Sequence, residues 1–280
     1  MADLGKRNHL SVLRDTRSGF FLDGGTLGEI LLPGRYIPAG AGVGSELDVF
    51  VYRDSEDRLV ATTETPLAMV GDFAFLRVLS VRPGLGAFLD WGLSKDLLLP
   101  RREQTGFLRE GELLVVHVFV DPKSERIVAS ARLDRWLNRT PPAYAPEQPV
   151  QLLIAGETPL GYNAIIENAH WGLLYRSELS APLRIGDTIP GYIRMVRPDG
   201  KIDLALDRAG YVRVKPLSDQ ILDALAEGGG RLPFHDKSSP EEIREKFGVS
   251  KKAFKQALGA LYRARRVVLD STEIRLLPKR

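Results

Sequence analysis

Two stretches of this chain, 67 positions apart, repeat one order of residues, and an internal repeat constrains a fold more tightly than composition does. SGFFLDGGTLGEILLP (Ser18 to Pro33) parallels LGAFLDWGLSKDLLLP (Leu85 to Pro100): Gly19 matches Gly86, Phe21 matches Phe88 and Asp23 matches Asp90. GSELDVFVYRDSEDRLVATT then mirrors GELLVVHVFVDPKSERIVAS. A more diverged third copy runs through YNAIIENAHWGLLYRSEL (Tyr162 to Leu179) and IGDTIPGYIRMVRPDGKIDLALD (Ile185 to Asp207), with Asn163 where Gly86 stands.

The clearest copy is Met69 to Leu133. Strands are expected from Gly71 to the turn at Arg82 to Gly84, over Gly86 to Trp91, over Leu113 to Val120 and over Ile127 to Ala131, since these β-branched and aromatic runs are bounded by Gly, Pro and Asp. Five short strands in about 65 residues close most economically into a barrel, because closure removes exposed edges. The expected order is a first barrel over 1–66, a second over 67–135, a linker over 136–149, a third barrel over 150–210 and a different domain over 211–280. Four prolines in NRTPPAYAPEQP suit an extended, partly stiff linker.

After about Val214 the hydrophobic period changes. SDQILDALAEGGG reads as a helix starting at Ser218 and stopping at glycines. Ser239 ahead of Pro240, Glu241 and Glu242 is a helix start, and Gly248 ends that helix. In SKKAFKQALGALYRAR, Phe254, Ala257, Leu258 and Leu261 fall at i, i+3, i+4 and i+7, the buried stripe of a third helix. RVVLD and EIRLLP flank a turn at Ser271 and Thr272 as a hairpin, so the tail is an α+β winged helix-turn-helix.

Composition narrows the function. The chain has no cysteine, so it has neither disulfides nor thiolate metal sites, and a reducing, cytoplasmic setting is expected. No stretch reaches the roughly 18 apolar residues of a membrane helix, and the first residues lack a secretion signal's apolar core. The net charge of +3 is uneven: Lys215 to Arg280 carries 14 Lys+Arg against 9 Asp+Glu, so the electrostatic case for a nucleic-acid partner falls on the tail. His9, His117, His170 and His235 have no ligand spacing, GAGVGS is followed by no G-K-[ST], and no G-x-S-x-G elbow occurs. The expectation is a non-enzymatic protein with no metal, cofactor or small-molecule substrate.

The repeated order of glycine, aromatic or small residue, apolar and acidic residue, followed by GLLYRSEL and GKIDLALD in the third copy, resembles the S1-type RNA-binding domain, an OB-fold barrel. GRLPFHDKSSPEEIREKFGVSKKAFKQALGALYRARRVV, taken with the upstream copies, resembles the bacterial conserved virulence factor B family, in which S1-like domains precede a winged helix. The resemblance implies a mainly β, multidomain protein of three tandem S1-like OB-fold barrels and a winged helix, acting as a cytoplasmic RNA-binding regulator.

In S1-type domains one barrel face offers two aromatics around an F-G-A-F run and a histidine in a V-H-x-S run. Copy two has Phe88, with Leu85 at the first aromatic position and Leu99-Pro100 in place of the histidine run; copy one has Phe21 and Phe20. Copy three reads as Tyr162 first, Ile165 second, and Tyr175 at the histidine position with Arg176 beside it. An exposed ring can stack a base of single-stranded RNA without reading its identity. On the third tail helix Lys251, Lys252 and Lys255 lie off the apolar stripe, with Arg263, Arg265 and Arg266 near its end, a row suited to phosphates. The candidate contacts are therefore Phe21, Phe88, Tyr162, Tyr175, Arg176, Lys251, Lys252, Lys255 and Arg263, while Trp91, Trp136 and Trp171 are expected to pack. Single-stranded RNA is the expected partner. Duplex DNA read by the winged helix, where Gln256 suits adenine, and docking on a ribosome or another protein are the alternatives.

Overall fold

The structure is a computed structural model that describes residues 2–179, 181–207, 211–235, 238–270 and 272–277. It forms two compact units, Met1–Leu137 and Asn138–Arg280.

The first unit holds two closed five-stranded barrels. Barrel 1 is β1 (Arg7–Thr16), β2 (Gly19–Asp23), β3 (Glu29–Pro33), β4 (Glu46–Arg53) and β5 (Leu59–Thr62). Barrel 2 is β6 (Phe73–Arg82), β7 (Gly86–Asp90), β8 (Leu97–Pro100), β9 (Leu113–Val120) and β10 (Ile127–Ser130). In the second unit, barrel 3 is β11 (Pro149–Thr158), β12 (Gly161–Ile166), β13 (His170–Tyr175), β14 (Thr188–Val196) and β15 (Ile202–Ala205). All three share one OB-like topology: strand order one, two, three, five, four, closed between four and one, with three and five parallel. The long first strand of each bends at a bulge, between Val12 and Arg14, Val78 and Ser80, or Ile154 and Gly156. The added twist lets one strand pair with both its second and fourth neighbours.

One glycine per barrel fixes how the repeats correspond. Gly19, Gly86 and Gly161 open the second strand with φ of 134°, 153° and 156°. A Cβ added there would sit 2.1, 2.2 or 1.9 Å from the carbonyl oxygen of Leu32, Leu99 or Leu174, so no side chain fits. The counterpart of Gly86 is thus Gly161 and not Asn163, two positions earlier than sequence similarity suggests.

Barrels 1 and 2 share a core. Phe50, Tyr52 and Val60 of barrel 1 belong to the same buried cluster as Leu76, Leu89, Trp91 and Val118 of barrel 2. The Trp91 ring meets Phe50 edge-on at 5.7 Å, and Lys95 Nζ donates to the carbonyls of Arg53 and Asp54 at 2.7 and 2.8 Å. Trp91 is a packing residue, 2% exposed. In the second unit the proline-rich segment is laced to barrel 3. His170 places its Nδ1 2.8 Å from the Tyr144 hydroxyl and its Nε2 2.8 Å from the Thr140 carbonyl, and Asn138 Oδ1 accepts from the Trp171 amide.

The remaining elements make the winged helix: α1 (Tyr211–Glu227), β16 (Arg231–Leu232), α2 (Pro240–Phe247), α3 (Lys251–Arg263), β17 (Val267–Leu269) and β18 (Ile274–Leu276), with sheet order β16-β18-β17. Ser239 and Glu242 form the capping box of α2 and Gly248 closes it at φ 66°. Phe254, Ala257, Leu258 and Leu261 are the buried stripe of α3. The first helix begins seven residues before Ser218, which is buried on it and caps nothing. Of the hairpin turn, Ser271 lies outside the described residues.

Candidate nucleic-acid interface

The outer face of β6, β7 and β8 gathers the groups a single strand needs. Leu76, Val78, Ala87, Leu89, Leu97 and Leu99 fill barrel 2, so their neighbours point outward. Register then builds two rows across the face: Ser80, Phe88 and Leu98, and beside them Arg82, Gly86 and Pro100. Phe88 is half-buried, with the exposed Arg82 guanidinium 5.0 Å from its ring centre. Arg77 lies further along β6, and Arg101 follows Pro100 with its amide donating to Leu85 O at 3.0 Å. None of Arg77, Arg82, Arg101 and Arg109 has an acidic side chain within ion-pair distance among the described residues. Their charge is open to solvent, hence to phosphate.

In the other barrels the matching cations are ion-paired. On barrel 1, Arg14 covers Phe21 at 3.8 Å but is held by Glu29 at 2.6 Å, a hydrogen bond that keeps the Glu29 carboxyl below the usual carboxylate range. On barrel 3, Arg176 binds Glu157 at 2.7 Å. Tyr175 is half-buried, and its hydroxyl is taken up by Asp203 and Arg197, themselves paired at 2.9 Å. Tyr162 is not a surface ring: it is 3% exposed in the core of barrel 3. Once Gly161 sets the register, Tyr162 matches the buried Phe20 and Ala87, Asn163 takes the place of Phe88, and Leu160 takes the first aromatic position. Ile165, read as the second aromatic position, is likewise buried.

On α3, Lys255, Gln256 and Arg263 face solvent, while Lys251 is half-buried. Lys252 is exposed but bound to Glu178 of barrel 3 at 3.0 Å, and Glu178 also binds Arg194. Burial pushes the Glu178 carboxyl up, yet Arg194 and Lys252 together overcome it and hold it low. Lys252 therefore joins barrel 3 to the winged helix and is lost to a phosphate row. Trp136 packs on His117 at 4.4 Å and Trp171 is half-buried. Arg77, Arg82, Arg101 and Arg109, and the ring of Phe107, 90% exposed in the loop between β8 and β9, carry no periodic signal in the sequence.

Comparison with known proteins agrees with this architecture. Residues 4–64, which hold barrel 1, match the S1 domain, and residues 219–276 match the CvfB-like winged helix domain. The protein YitL of Bacillus subtilis (strain 168) is 28% identical over 95% of this chain and 91% of its own length. Conserved virulence factor B of Staphylococcus aureus (strain USA300) is 25% identical over 85% of this chain and 81% of its own. A crystallised multidomain protein with nucleic acid binding domains from Streptococcus pneumoniae is 25% identical, covers 98% of both chains and superposes with a TM-score of 0.41. The domain types matched are nucleic-acid-binding modules and not enzymes. This chain therefore carries an S1 domain at one end and a CvfB-like winged helix domain at the other, and over most of its length it is similar to conserved virulence factor B.

Proposed function

We propose that this protein binds single-stranded RNA with little regard to base sequence, chiefly on the β6-β7-β8 face of barrel 2, and regulates bacterial gene expression after transcription. The observation that carries the reading is a contrast among the three barrels: Arg14 beside Phe21 in barrel 1 and Arg176 in barrel 3 are ion-paired, whereas Arg82 beside Phe88 in barrel 2 is not. A ring stacks any base, and arginines bind any phosphate, so the face selects an unpaired strand over a particular sequence. Phe21, Tyr175 and the Lys255 to Arg263 side of α3 are weaker contacts that raise the effective concentration of the strand at barrel 2. Regulation follows from occupancy of a transcript by modules in series, with no chemistry on the RNA.

The test titrates labelled single-stranded RNA, single-stranded DNA and duplex DNA of equal length at several salt concentrations. RNA should bind best, with a slope of log affinity on log salt of about −0.7 per phosphate contacted. Phe88→Ala should weaken binding about 5- to 150-fold, the worth of one stacked base. Preference for duplex DNA with no effect of Phe88→Ala would overturn the reading and move the activity to α3, where Gln256 and Arg263 face solvent.

A further inference from the structure

Among the described residues Phe107 is the most open of the large apolar side chains, 90% exposed. The loops that follow the third strand have equal length in all three barrels, 12 residues from Gly34, Arg101 or Arg176 to the start of the fourth strand. At the step where barrel 2 has Phe107, barrel 1 has Gly40 and barrel 3 has Pro182. The ring thus belongs to the barrel in which an unpaired guanidinium, that of Arg82, stands beside an outward ring of the second strand, Phe88.

Its setting is built in advance. The Arg101 guanidinium lies 4.8 Å from the Phe107 ring centre, and its Nη1 donates to Gln104 Oε1 at 3.1 Å and to the Gly106 carbonyl at 3.2 Å. Gln104 is buried and donates to Leu99 O at 3.2 Å, which ties the loop to β8. The adjacent Glu103 is buried as well, accepting from Ser130 Oγ at 2.7 Å and from Arg135. At the equivalent position barrel 3 spends Arg176 on Glu157, and barrel 1 has Gly34, which carries no charge. Only in barrel 2, therefore, does this position offer an unpaired cation over a solvent-facing ring, on a loop whose base is fixed.

We infer that Phe107 and Arg101 form a second stacking subsite, taking a base next to the one held at Phe88, with Arg101 available to the intervening phosphate. The inference rests on the proposed RNA binding and lengthens its track beyond β7. Arg101 follows Pro100, which pairs with Gly86 two residues before Phe88, so the cation beside the Phe107 ring starts from the end of the strand that pairs with β7.

The experiment measures fluorescence anisotropy of labelled oligouridylates from about 4 to 16 nucleotides, a span covering the site sizes of single barrels of this type, with the full chain and its Phe88→Ala, Phe107→Ala and Phe107→Trp variants. Phe107→Ala should leave the shortest oligomers unaffected and weaken the longer ones about 5- to 150-fold, while Phe107→Trp should restore the longer ones. If the parent chain binds and Phe88→Ala weakens it, but Phe107→Ala matches the parent at every length, the second subsite is wrong and the first reading stands. Equal loss in Phe107→Ala and Phe107→Trp also refutes stacking there. If the parent chain binds none of the oligomers, both readings fall together.

Discussion

Replacing His117 by Phe should make the first unit less sensitive to acid. His117, on β9, is 7% exposed, with Phe73 at 4.6 Å and Trp136 at 4.4 Å, and its Nδ1 has no hydrogen-bond partner. Burial drives its pKa from 6.5 to about 4, against a smaller opposing pull from Asp72. Between those values the unfolded chain takes up a proton that the folded chain refuses, so stability is lost as the pH falls through this window. From pH 7 to pH 5 the loss from this one group is about 2 kcal/mol. The assay is urea unfolding followed by tryptophan fluorescence in a Trp171→Phe background, which leaves Trp91 and Trp136 as reporters of residues 1–137. The unfolding free energy of the parent should fall from pH 7 to 5 by about 2 kcal/mol more than that of His117→Phe. Parallel pH profiles for the two proteins would show that His117 protonates as easily in the fold as out of it, and the reasoning from its burial would be refuted.

Other substitutions separate structural from binding residues. Tyr162→Ala should cost barrel 3 about 3–5 kcal/mol by emptying a core position, measured by urea unfolding, and should leave the affinity of the folded protein for RNA within about twofold. Gly86→Ala drives a methyl group to 2.2 Å from the Leu99 carbonyl oxygen and should destabilise the first unit by more than about 3 kcal/mol, seen as a lower midpoint by Trp91 and Trp136 fluorescence.

The barrels were legible in the sequence because a fixed offset of 67 carries glycine, aromatic and aspartate together through two copies, and the winged helix because its caps and its apolar stripe are local signals. Sequence similarity sets the third copy two residues out, because it aligns Asn163 where only a glycine can stand. Leu160-Gly161, matching Leu85-Gly86, was the signal that would have corrected it. That slip equates Tyr162 with Leu85, an exposed residue ahead of the strand, when its counterpart is Ala87 in the core. The proposed binding face was less legible. Counting charges by segment pointed to the tail, yet what decides is pairing across strands, such as Arg14 with Glu29 and Arg176 with Glu157, which removes charge from faces that look basic in sequence. Phe107 lies in a loop with no periodicity to mark it, and its neighbour Arg101 is informative only once its lack of an acidic partner is seen.

The seam of Trp91 on Phe50 gives barrel 1 a use even where its own surface is quenched. Because the two interiors are continuous, barrel 1 is an abutment that covers Trp91 and the β7-β8 connection of barrel 2 with its own apolar side chains. A lineage could let the outer rings of barrel 1 decay at little cost, but could not delete the module without stripping its neighbour of a wall.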